Sequence, residues 1–364
     1  MLMEQACQPP MDYDAQPLLS FCITSLRRND QIMQTLPLNL AQNWQDRSMV
    51  EFVLVDFNPS IDDDHSLEQF VLQQCRRELD CGYLCYFQSD ALPSWHASIA
   101  KNTAHSVARG RVLVNLDGDN FVGEGGGRHV LRLFYPNAAD ESEMRLLAEP
   151  RPVVLQQRCG AGTYGRIALR RGDFETLGGY NESFAPMSAQ DLDLMQRAAA
   201  LLNTRVVYDR DSTYSYAIAN DKQRSVRFCT EERYADMSWH QMSALNRDAM
   251  RRSRQQFGLL CNVDQPYIGV TPSSLQYYCA VSARLVPYEG FTIRPPNSAM
   301  CEQHRQERPE AFNADIGRLN SAWSPERMAR MQLLRRTLRT ANADRRAALI
   351  AKRRERLERL KQQA

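Results

Sequence analysis

The stretch that decides the fold is Arg111–Asn120, R-V-L-V-N-L-D-G-D-N. Its short apolar run, rich in β-branched residues and bounded by polar ones, is typical of a buried parallel strand. The run ends on Asp117-Gly118-Asp119, and open α/β sheets bind ligands at the carboxyl ends of their strands. Two carboxylates suit Mg²⁺ or Mn²⁺ shared with substrate phosphates, and Gly118 lets the backbone approach a ligand closely. The alternative is a loop in which Asp-Gly only makes a turn.

Strand and helix patterns alternate around this stretch. Apolar runs predict strands at Leu18–Ser25, Glu51–Asp56 and Tyr83–Gln88 ahead of it. Polar starts and apolar periodicity predict the intervening helices, which begin at Asp30, near Ser66 and at Ser98. Such alternation predicts an α/β fold with a Rossmann-like, mostly parallel sheet, flanked by helices and joined by right-handed crossovers.

The strand ends of such a sheet form one edge, where Thr24, Asp56 and the two aspartates of D-G-D are expected together. Asp56 is placed to accept hydrogen bonds from a nucleoside, and the alternative is a cap for the following helix. Lys101 and Asn102 lie near a helix start, where a cation and free amides favour a diphosphate. The alternative for these two is a solvated helix face.

The second half of the pattern supplies a candidate base. Strands are predicted at Val153–Gln157 and Tyr164–Arg170, and a short helix that follows them ends at Gly178-Gly179. Ser188 is predicted to cap the next helix, which places Asp191 in its first turn. The helix dipole favours a carboxylate there, and its side chain can project into the cleft as a base. The alternative is an ordinary acid at a helix start.

A glycine run, Gly123–Gly127 with Glu124, follows the opening strand. It is not the G-x-G-x-x-G of a first βαβ unit, so no dinucleotide-binding loop is predicted. We expect a flexible loop beside the metal.

Composition bounds the remaining possibilities. The 364 residues are 43% hydrophobic, and no run approaches the roughly 20 apolar residues of a membrane span. The first 17 residues lack the pattern of a secretory signal, and several of the ten cysteines lie in apolar runs, so a cytoplasmic protein with reduced thiols is expected. We predict a disordered segment at 1–16, a catalytic domain at 17–260, an accessory or lid segment at 261–323 and a basic helix at 324–364.

The predicted C-terminal helix is strongly basic. Between Pro325 and Ala364 there are 13 Lys and Arg against 4 Asp and Glu, a net charge of +9 in a chain whose total is +2. Ser324-Pro325-Glu326 has the pattern of a helix start. The helix is predicted to rest on an anionic membrane surface or an acidic partner, and the first of these predicts a peripheral association with a membrane. The alternative is a solvated helix, and no nucleic acid is expected because the tail lacks interleaved aromatic residues.

Together the pieces resemble GT-A-type glycosyltransferases, specifically bacterial family 2-like enzymes with a galactosyltransferase-type C-terminal motif. The resemblance covers about Leu18 to Gly258. The matching motifs, in order, are F-C-I-T-S-L-x-R with T-L-P-x-N-L (Phe21–Leu40), E-F-V-L-V-D-F-N (Glu51–Asn58), H-x-S-x-x-K-N (His96–Asn102), N-L-D-G-D-N-F (Asn115–Phe121), Y-G-R-I-A-L-R (Tyr164–Arg170), L-G-G-Y-N-E-S-F (Leu177–Phe184), Q-D-L-D-L (Gln190–Leu194) and W-x-x-x-S-x-x-N-R (Trp239–Arg247).

The resemblance implies a metal-dependent transfer of a sugar from a nucleotide donor, most often UDP-linked, to a hydroxyl of a glycan or another acceptor, as in polysaccharide biosynthesis. One base acting in a single displacement predicts inversion at the anomeric carbon. The resemblance assigns the base to Asp191, with Gln190 in place of the usual Glu. It implies metal binding by Asp119 and His240, for which a partly buried structural histidine is the alternative. The implied donor-binding residues are Thr24, Arg27, Asp56, Lys101, Asn102, Asp117, Gly118 and Asp119, and the acceptor-binding residues are Tyr164, Gly179 and Gln190.

Two other functions remain open. A sugar nucleotidyltransferase also needs a metal-binding acid pair on an α/β sheet, but it normally carries a Gly-rich phosphate loop after the first strand. Residues 24–29 here are T-S-L-R-R-N, without glycine. A non-catalytic binding module of the same fold is favoured only by the replacement of Glu by Gln190.

Overall fold

The structure is a computed structural model that describes residues 16–57, 66–147, 149–202, 204–219, 225–257 and 274–288. The chain divides into two compact units, Met1–Glu307 and Arg308–Ala364, and every described residue belongs to the first. The predicted basic helix at 324–364, nearly all of the predicted disordered segment at 1–16 and most of the predicted accessory segment at 261–323 lie outside the described residues.

The described residues form one large sheet and one small one. The strands are β1 (Leu19–Ser25), β2 (Val50–Asp56), β3 (Leu84–Gln88), β4 (Val112–Asn115), β5 (Asn120–Phe121), β6 (Val153–Gln157), β7 (Ile167–Arg170), β8 (Arg205–Asp209), β9 (Tyr216–Ala217), β10 (Gln276–Cys279) and β11 (Arg284–Pro287). The large sheet has the order β11-β10-β3-β2-β1-β4-β7-β6-β8, and β5 pairs with β9. Its central strands β3, β2, β1 and β4 are parallel, whereas β7 and β10 run antiparallel to their neighbours.

Helices flank this sheet. They are α1 (Asn29–Gln42), α2 (Leu67–Gln74), α3 (Arg76–Asp80), α4 (Ala97–Val107), α5 (Gly126–Phe134), α6 (Glu141–Leu146), α7 (Arg171–Thr176), α8 (Gln190–Leu201) and α9 (Trp239–Phe257). The predicted α/β class, with a mostly parallel sheet flanked by helices, is confirmed. Within the part of the chain described here, no helix combines the length and apolarity needed to cross a membrane.

The centre of the sheet is buried on both faces, and the middle of each central strand is a continuous apolar run. Along β2, Phe52 and Leu54 pack into the core on one face, while Val53 and Val55 pack into the core on the other. Successive side chains of a strand point to opposite faces, so a strand covered on both sides needs a continuous apolar run. Phe21 of β1 lies opposite Phe52 of β2 in the strand pairing, and the two rings stack with centroids 4.9 Å apart.

Three local predictions are wrong in detail. Helix α1 begins at Asn29 after Arg28, so Asp30 lies in its first turn and does not cap it. Ser188 does not cap α8, because the N-cap is Ala189, the residue just before the helix. Ala189 has a left-handed backbone and makes no side-chain capping hydrogen bond. The glycine run is not simply a loop, since its last two glycines open α5 and Gly127 donates its N–H to Asn43 Oδ1 at 2.9 Å.

The hairpin of β10 and β11 lies within the predicted 261–323 segment. Strand β10 pairs antiparallel with β3, with Gln276 opposite Gln88, and so extends the main sheet at that edge. Tyr277 contributes its ring to the packing beside Phe87, with ring centroids 6.2 Å apart. This part of the segment therefore covers the side of the sheet that β3 would otherwise expose.

Candidate active site

The carboxyl ends of β1, β2 and β4 meet at one edge of the sheet. Ser25 pairs with Asp56 at the ends of β1 and β2, and Cys22 of β1 pairs with Asn115, the last residue of β4. Because these strands are parallel neighbours, the residues that follow them are brought to the same edge. The Asp117-Gly118-Asp119 loop begins there, two residues beyond β4.

Gly118 has a packing role within this loop. A Cβ added at this position would lie 2.5 Å from Cδ1 of Ile32 in α1, so a side chain there would force Ile32 to shift. The Gly118 carbonyl accepts a hydrogen bond from Thr35 Oγ1 at 2.8 Å. The glycine therefore lets the loop lie directly on α1, which holds both flanking carboxylates in place.

The two aspartates of the loop have different surroundings. Asp117 is one-third exposed, and its Oδ1 accepts a hydrogen bond from Asn115 Nδ2 at 3.0 Å. Asp119 is almost fully buried, accepts from Asn120 Nδ2 at 2.6 Å, and lies 3.5 Å from the guanidinium of Arg28. Only Asp117 thus presents substantial carboxylate surface to solvent, whereas the Asp119 carboxylate is held by Asn120 and Arg28.

Lys101 of α4 joins the D-G-D loop to α8. Its Nζ lies 2.7 Å from Asp191 Oδ1 and 3.7 Å from Asp117 Oδ1, and the side chain is nearly buried. The ammonium also lies 5.2 Å from the ring centroid of Tyr180. The predicted base and the predicted donor-binding acid therefore share one cation, a contact that their positions in the sequence do not reveal.

Gly165 makes this convergence possible from the opposite side. A Cβ on Gly165 would lie 2.5 Å from Asp117 Oδ2 and 3.4 Å from Asp191 Oδ2. The Gly165 carbonyl accepts a hydrogen bond from Asn115 Nδ2 at 2.9 Å, which holds the backbone against the carboxylates. The two acids thus face a stretch of backbone that has no side chain.

The charges in this cluster shift one another's pKa values. Burial raises the pKa of Asp191 above its ordinary value, the Lys101 ammonium opposes that shift, and the charge of Asp117 adds to it. Burial also acts to raise the pKa of Asp117, but Lys101 and the Asn115 hydrogen bond outweigh it and hold that pKa below the usual range. The pKa of Asp119 is raised by burial and then by the neighbouring Asp117 charge. The site therefore separates a carboxylate that ionises easily, Asp117, from one with greater proton affinity, Asp191.

Asp193, the next acid of α8, is not equivalent to Asp191. Its side chain is 2% exposed and pairs with Arg197 Nε at 2.8 Å. Arg197 in turn donates to the carbonyls of Leu177 and Gly179, so this buried pair ties α8 to the turn after α7. Its role in the described structure is to orient the helix that carries Asp191.

Two other predicted donor-binding residues are buried within the fold. Asp56 accepts a hydrogen bond from the Tyr86 hydroxyl at 2.8 Å. Asn102 donates to the Tyr180 carbonyl at 2.9 Å and accepts from the Tyr180 N–H at 3.0 Å. Asn102 thus holds the Tyr180 backbone beside the Lys101 ammonium, while Thr24 lies half-buried at the end of β1.

The neighbouring arginines differ from the prediction. Arg27 is exposed and has a left-handed backbone with φ of 54°, whereas Arg28 reaches Asp119. Arg166, missed in the sequence analysis, is fully buried and donates to the Tyr214 carbonyl at 2.8 Å and the Phe121 carbonyl at 2.8 Å. Burial lowers the pKa of Arg166 to about 10, against the opposing charges of the D-G-D aspartates. The sequence signal that could have indicated Arg166 is its place directly after Gly165.

The three predicted acceptor-binding residues differ in their surroundings. Tyr164, adjacent to Gly165, is 49% exposed, and the Arg158 guanidinium lies over its ring at 4.8 Å. Gly179 has a left-handed φ of 64°, which agrees with the predicted double-glycine end of the short helix. Gln190 is buried, and its Oε1 has no hydrogen-bond partner in the described structure.

The chemistry of the D-G-D pair fits a divalent metal ion. Asp117 and Asp119 supply hard carboxylate oxygens, and Mg²⁺ is usually held by one or two carboxylates together with substrate phosphates. No group of three His, Cys, Asp or Glu side chains suited to a metal occurs among the described residues, so His240 joins no such group there. His240 is exposed at the start of α9 with its ring edge-on to Trp239, which contradicts the partly buried structural alternative.

Comparison with known proteins gives structural likenesses. No protein-family model matches the chain, and no curated protein matches its sequence. Similar solved structures include S. aureus TarS with UDP-GlcNAc, at 15% identity and a TM-score of 0.42, covering 65% of this chain and 72% of that one. A mannosyltransferase, PcManGT from Pyrobaculum calidifontis with GDP-Man and Mn²⁺, has 15% identity and a TM-score of 0.41 and covers 85% and 88%. The catalytic domain of Drosophila β1,4-galactosyltransferase 7 with xylobiose has 10% identity and a TM-score of 0.37 and covers 65% and 79%.

Proposed function

We propose that this chain is an inverting glycosyltransferase that moves a sugar from a nucleotide-sugar donor, of the UDP-linked class, to a hydroxyl of a glycan or similar acceptor. The observation that carries the proposal is the meeting of Asp117 and Asp191 at Lys101, at the carboxyl edge of the parallel sheet, with Asp119 two residues along the same loop and paired with Arg28. The two acids proposed to act on the donor and the acid proposed to act on the acceptor thus lie at the same edge of the sheet. A transfer reaction needs both groups at one point because its two substrates react in a single step.

The donor side is assigned to the ends of β1, β2 and β4. Asp56, Thr24 and Arg27 are proposed to bind the nucleoside. Lys101 and Arg28 supply positive charge beside the D-G-D loop, where a diphosphate would develop negative charge as it leaves. Preorganised charge of that kind acts without reorganisation during the reaction.

Asp119, with Asp117, is proposed to hold Mn²⁺ or Mg²⁺, and His240 remains the proposed additional ligand. When bound, such an ion neutralises charge on the departing diphosphate. The remaining step, removal of the acceptor proton, is assigned to a side chain of the protein.

Asp191 is proposed as the general base. Its raised pKa, set by burial against the opposing Lys101 charge, gives it more affinity for the acceptor proton than an exposed carboxylate has. The acceptor oxygen forms the new bond to the anomeric carbon as the bond to the diphosphate breaks, and its proton passes to Asp191. One displacement of this kind inverts the anomeric centre, and general-base assistance contributes about 10²–10⁴ in rate.

Gln190, Tyr164 and Gly179 are proposed to bind the acceptor. The Gln190 Oε1 atom is buried without a hydrogen-bond partner in the described structure, and leaving such a group unmet is costly. An acceptor hydroxyl that donates to Oε1 would satisfy it. The amide can therefore bind an acceptor hydroxyl at the position where a carboxylate is usual.

A screen of nucleotide sugars by thermal shift, with Mn²⁺ or with excess EDTA, tests the proposal. A bound donor raises the melting temperature by mass action, and slow donor hydrolysis in the presence of metal identifies a transferase. Release of pyrophosphate from a nucleoside triphosphate and a sugar phosphate would instead indicate a nucleotidyltransferase. Donor binding without hydrolysis or transfer to any acceptor would indicate a binding module.

A further inference from the structure

The segment before Asp191 has an unusual backbone. Ser188 and Ala189 have φ values of 79° and 66°, and Ala189 is the N-cap of α8. A left-handed conformation is unfavourable for residues with a Cβ, so two in succession persist only where the surroundings hold them. Because Asp191 lies two residues beyond Ala189, the direction of its side chain depends on this turn.

Asn246 of α9 holds the segment through both ends of its amide. Its Oδ1 accepts from the Ala185 N–H at 2.6 Å, and its Nδ2 lies 3.0 Å from the Ala185 carbonyl. The same Nδ2 is 3.0 Å from the Met187 carbonyl and 2.7 Å from the Ser188 carbonyl. The side chain is buried, at 1% exposed, so these contacts are shielded from water. A single buried amide thus spans the backbone from 185 to the first left-handed residue.

The start of α4 holds the other side of the same segment. His96 Nε2 lies 3.0 Å from the Phe184 carbonyl, and the Ala97 N–H donates to the Pro186 carbonyl at 2.9 Å. Helix α4 also carries Lys101, whose ammonium contacts Asp191. The segment is therefore fixed between two helices, one of which also contacts the carboxylate itself.

We propose that Asn246 is a positioning residue for the base: it fixes the 185–188 backbone so that the left-handed turn points Asp191 at Lys101 and Asp117. This inference rests on the proposed function for its kinetic consequence. Its structural part, that one side chain of α9 maintains the strained turn, stands independently of any activity. An amide is required because the site needs an acceptor for one N–H and donors for carbonyls.

Hydrogen exchange tests the structural part without any substrate. Asn246→Ala in the full-length chain is expected to speed amide exchange in peptides covering 185–190, while peptides from β1 and β2 keep wild-type rates. The matched control is Glu51→Ala, which also removes a buried hydrogen-bonding side chain. Glu51 lies near the amino end of β2, at the opposite end of the strand from the candidate site. Its carboxylate accepts from Ser20 Oγ at 2.6 Å and from Arg109 N and Nε at 2.7 and 2.8 Å. Glu51→Ala is expected to leave exchange at 185–190 unchanged. Unchanged exchange in Asn246→Ala overturns the inference.

Kinetics test the catalytic part. Misplacement of a reacting group by about 1 Å costs on the order of 10²-fold in rate, so Asn246→Ala is expected to lower kcat by about that factor, with donor Kd unchanged by titration. Glu51→Ala is expected to lower the melting temperature but keep kcat per folded molecule. A wild-type kcat in Asn246→Ala, or an equal loss of donor affinity, refutes the positioning role.

A second-site change separates positioning from general destabilisation. Ala189→Gly relieves the left-handed strain because glycine adopts positive φ freely. Added to Asn246→Ala, it is expected to recover part of the lost kcat, whereas added to Glu51→Ala it changes kcat little. Absence of any recovery overturns the inference. If wild-type chain shows no transfer with any donor, the proposed function fails, and the exchange experiment alone still decides the role of Asn246.

Discussion

Replacing Gly165 by alanine tests whether catalysis depends on the close approach of Asp117 and Asp191 to one point of backbone. The new Cβ would lie 2.5 Å from Asp117 Oδ2, and ordinary contact begins at 3.4 Å, so the carboxylate must retreat by about 0.9 Å. Asp191 Oδ2, at 3.4 Å, already lies at that limit and can stay. The substitution thus moves the donor-side acid and leaves the base in place.

Gly165→Ala is expected to lower kcat/KM strongly but to lower the free energy of unfolding only slightly. A displacement of about 1 Å costs on the order of 10²-fold in rate, so kcat/KM should fall by about 10- to 100-fold. The contacted atom is the end of a side chain that can rotate, so the overpacking cost should stay near the low end of its range, about 1 kcal/mol. That corresponds to a melting temperature about 2–4 °C lower.

The assay compares kcat/KM and melting temperature for wild type, Gly165→Ala and the control Gly172→Ala. A Cβ at Gly172 in α7 would meet nothing within 4 Å, so the control should keep wild-type activity and gain about 0.5–1 kcal/mol of stability. Wild-type kcat/KM in Gly165→Ala would refute the reasoning. So would an equal loss in both variants, since that would show sensitivity to any glycine replacement.

Four further predictions address individual groups. Asp191→Asn should cut kcat by at least about 10²-fold in steady-state assays while donor affinity stays nearly unchanged; loss of donor binding would instead indicate a metal or structural role. Asp119→Ala should remove the thermal shift caused by donor with Mn²⁺ and abolish turnover, and full wild-type activity in excess EDTA would contradict the metal role. Lys101→Gln removes the cation that opposes the burial of Asp191, so the pKa of Asp191 should rise further and the acid limb of the kcat profile should move to higher pH; a limb that stays or moves down would show that Lys101 does not act on the base. Deleting 341–364 should leave turnover of a soluble acceptor intact and abolish sedimentation with anionic vesicles at low salt, and binding that survives the deletion would refute a lipid-binding tail.

The sequence by itself determined the class of the fold and the edge of the sheet on which the candidate site lies. Continuous apolar runs such as Phe52–Val55 are typical of strands buried on both faces of a covered parallel sheet, and the helical patterns between them supply the cover. Local signals also predicted that α7 ends just before Gly178-Gly179, because a left-handed φ after a helix end favours glycine. These features depend on neighbours along the chain, so a single sequence contains them.

Tertiary structure alone decided which groups meet. Lys101 and Asp191 are 90 residues apart yet lie 2.7 Å from each other, and the sequence predicted separate roles for them. The left-handed turn at Ser188 and Ala189 contradicts local preference, which favoured a capping serine there, because Asn246 of a distant helix holds its backbone. Conformations that cost energy locally are maintained by contacts from elsewhere in the fold, and no local pattern predicts them.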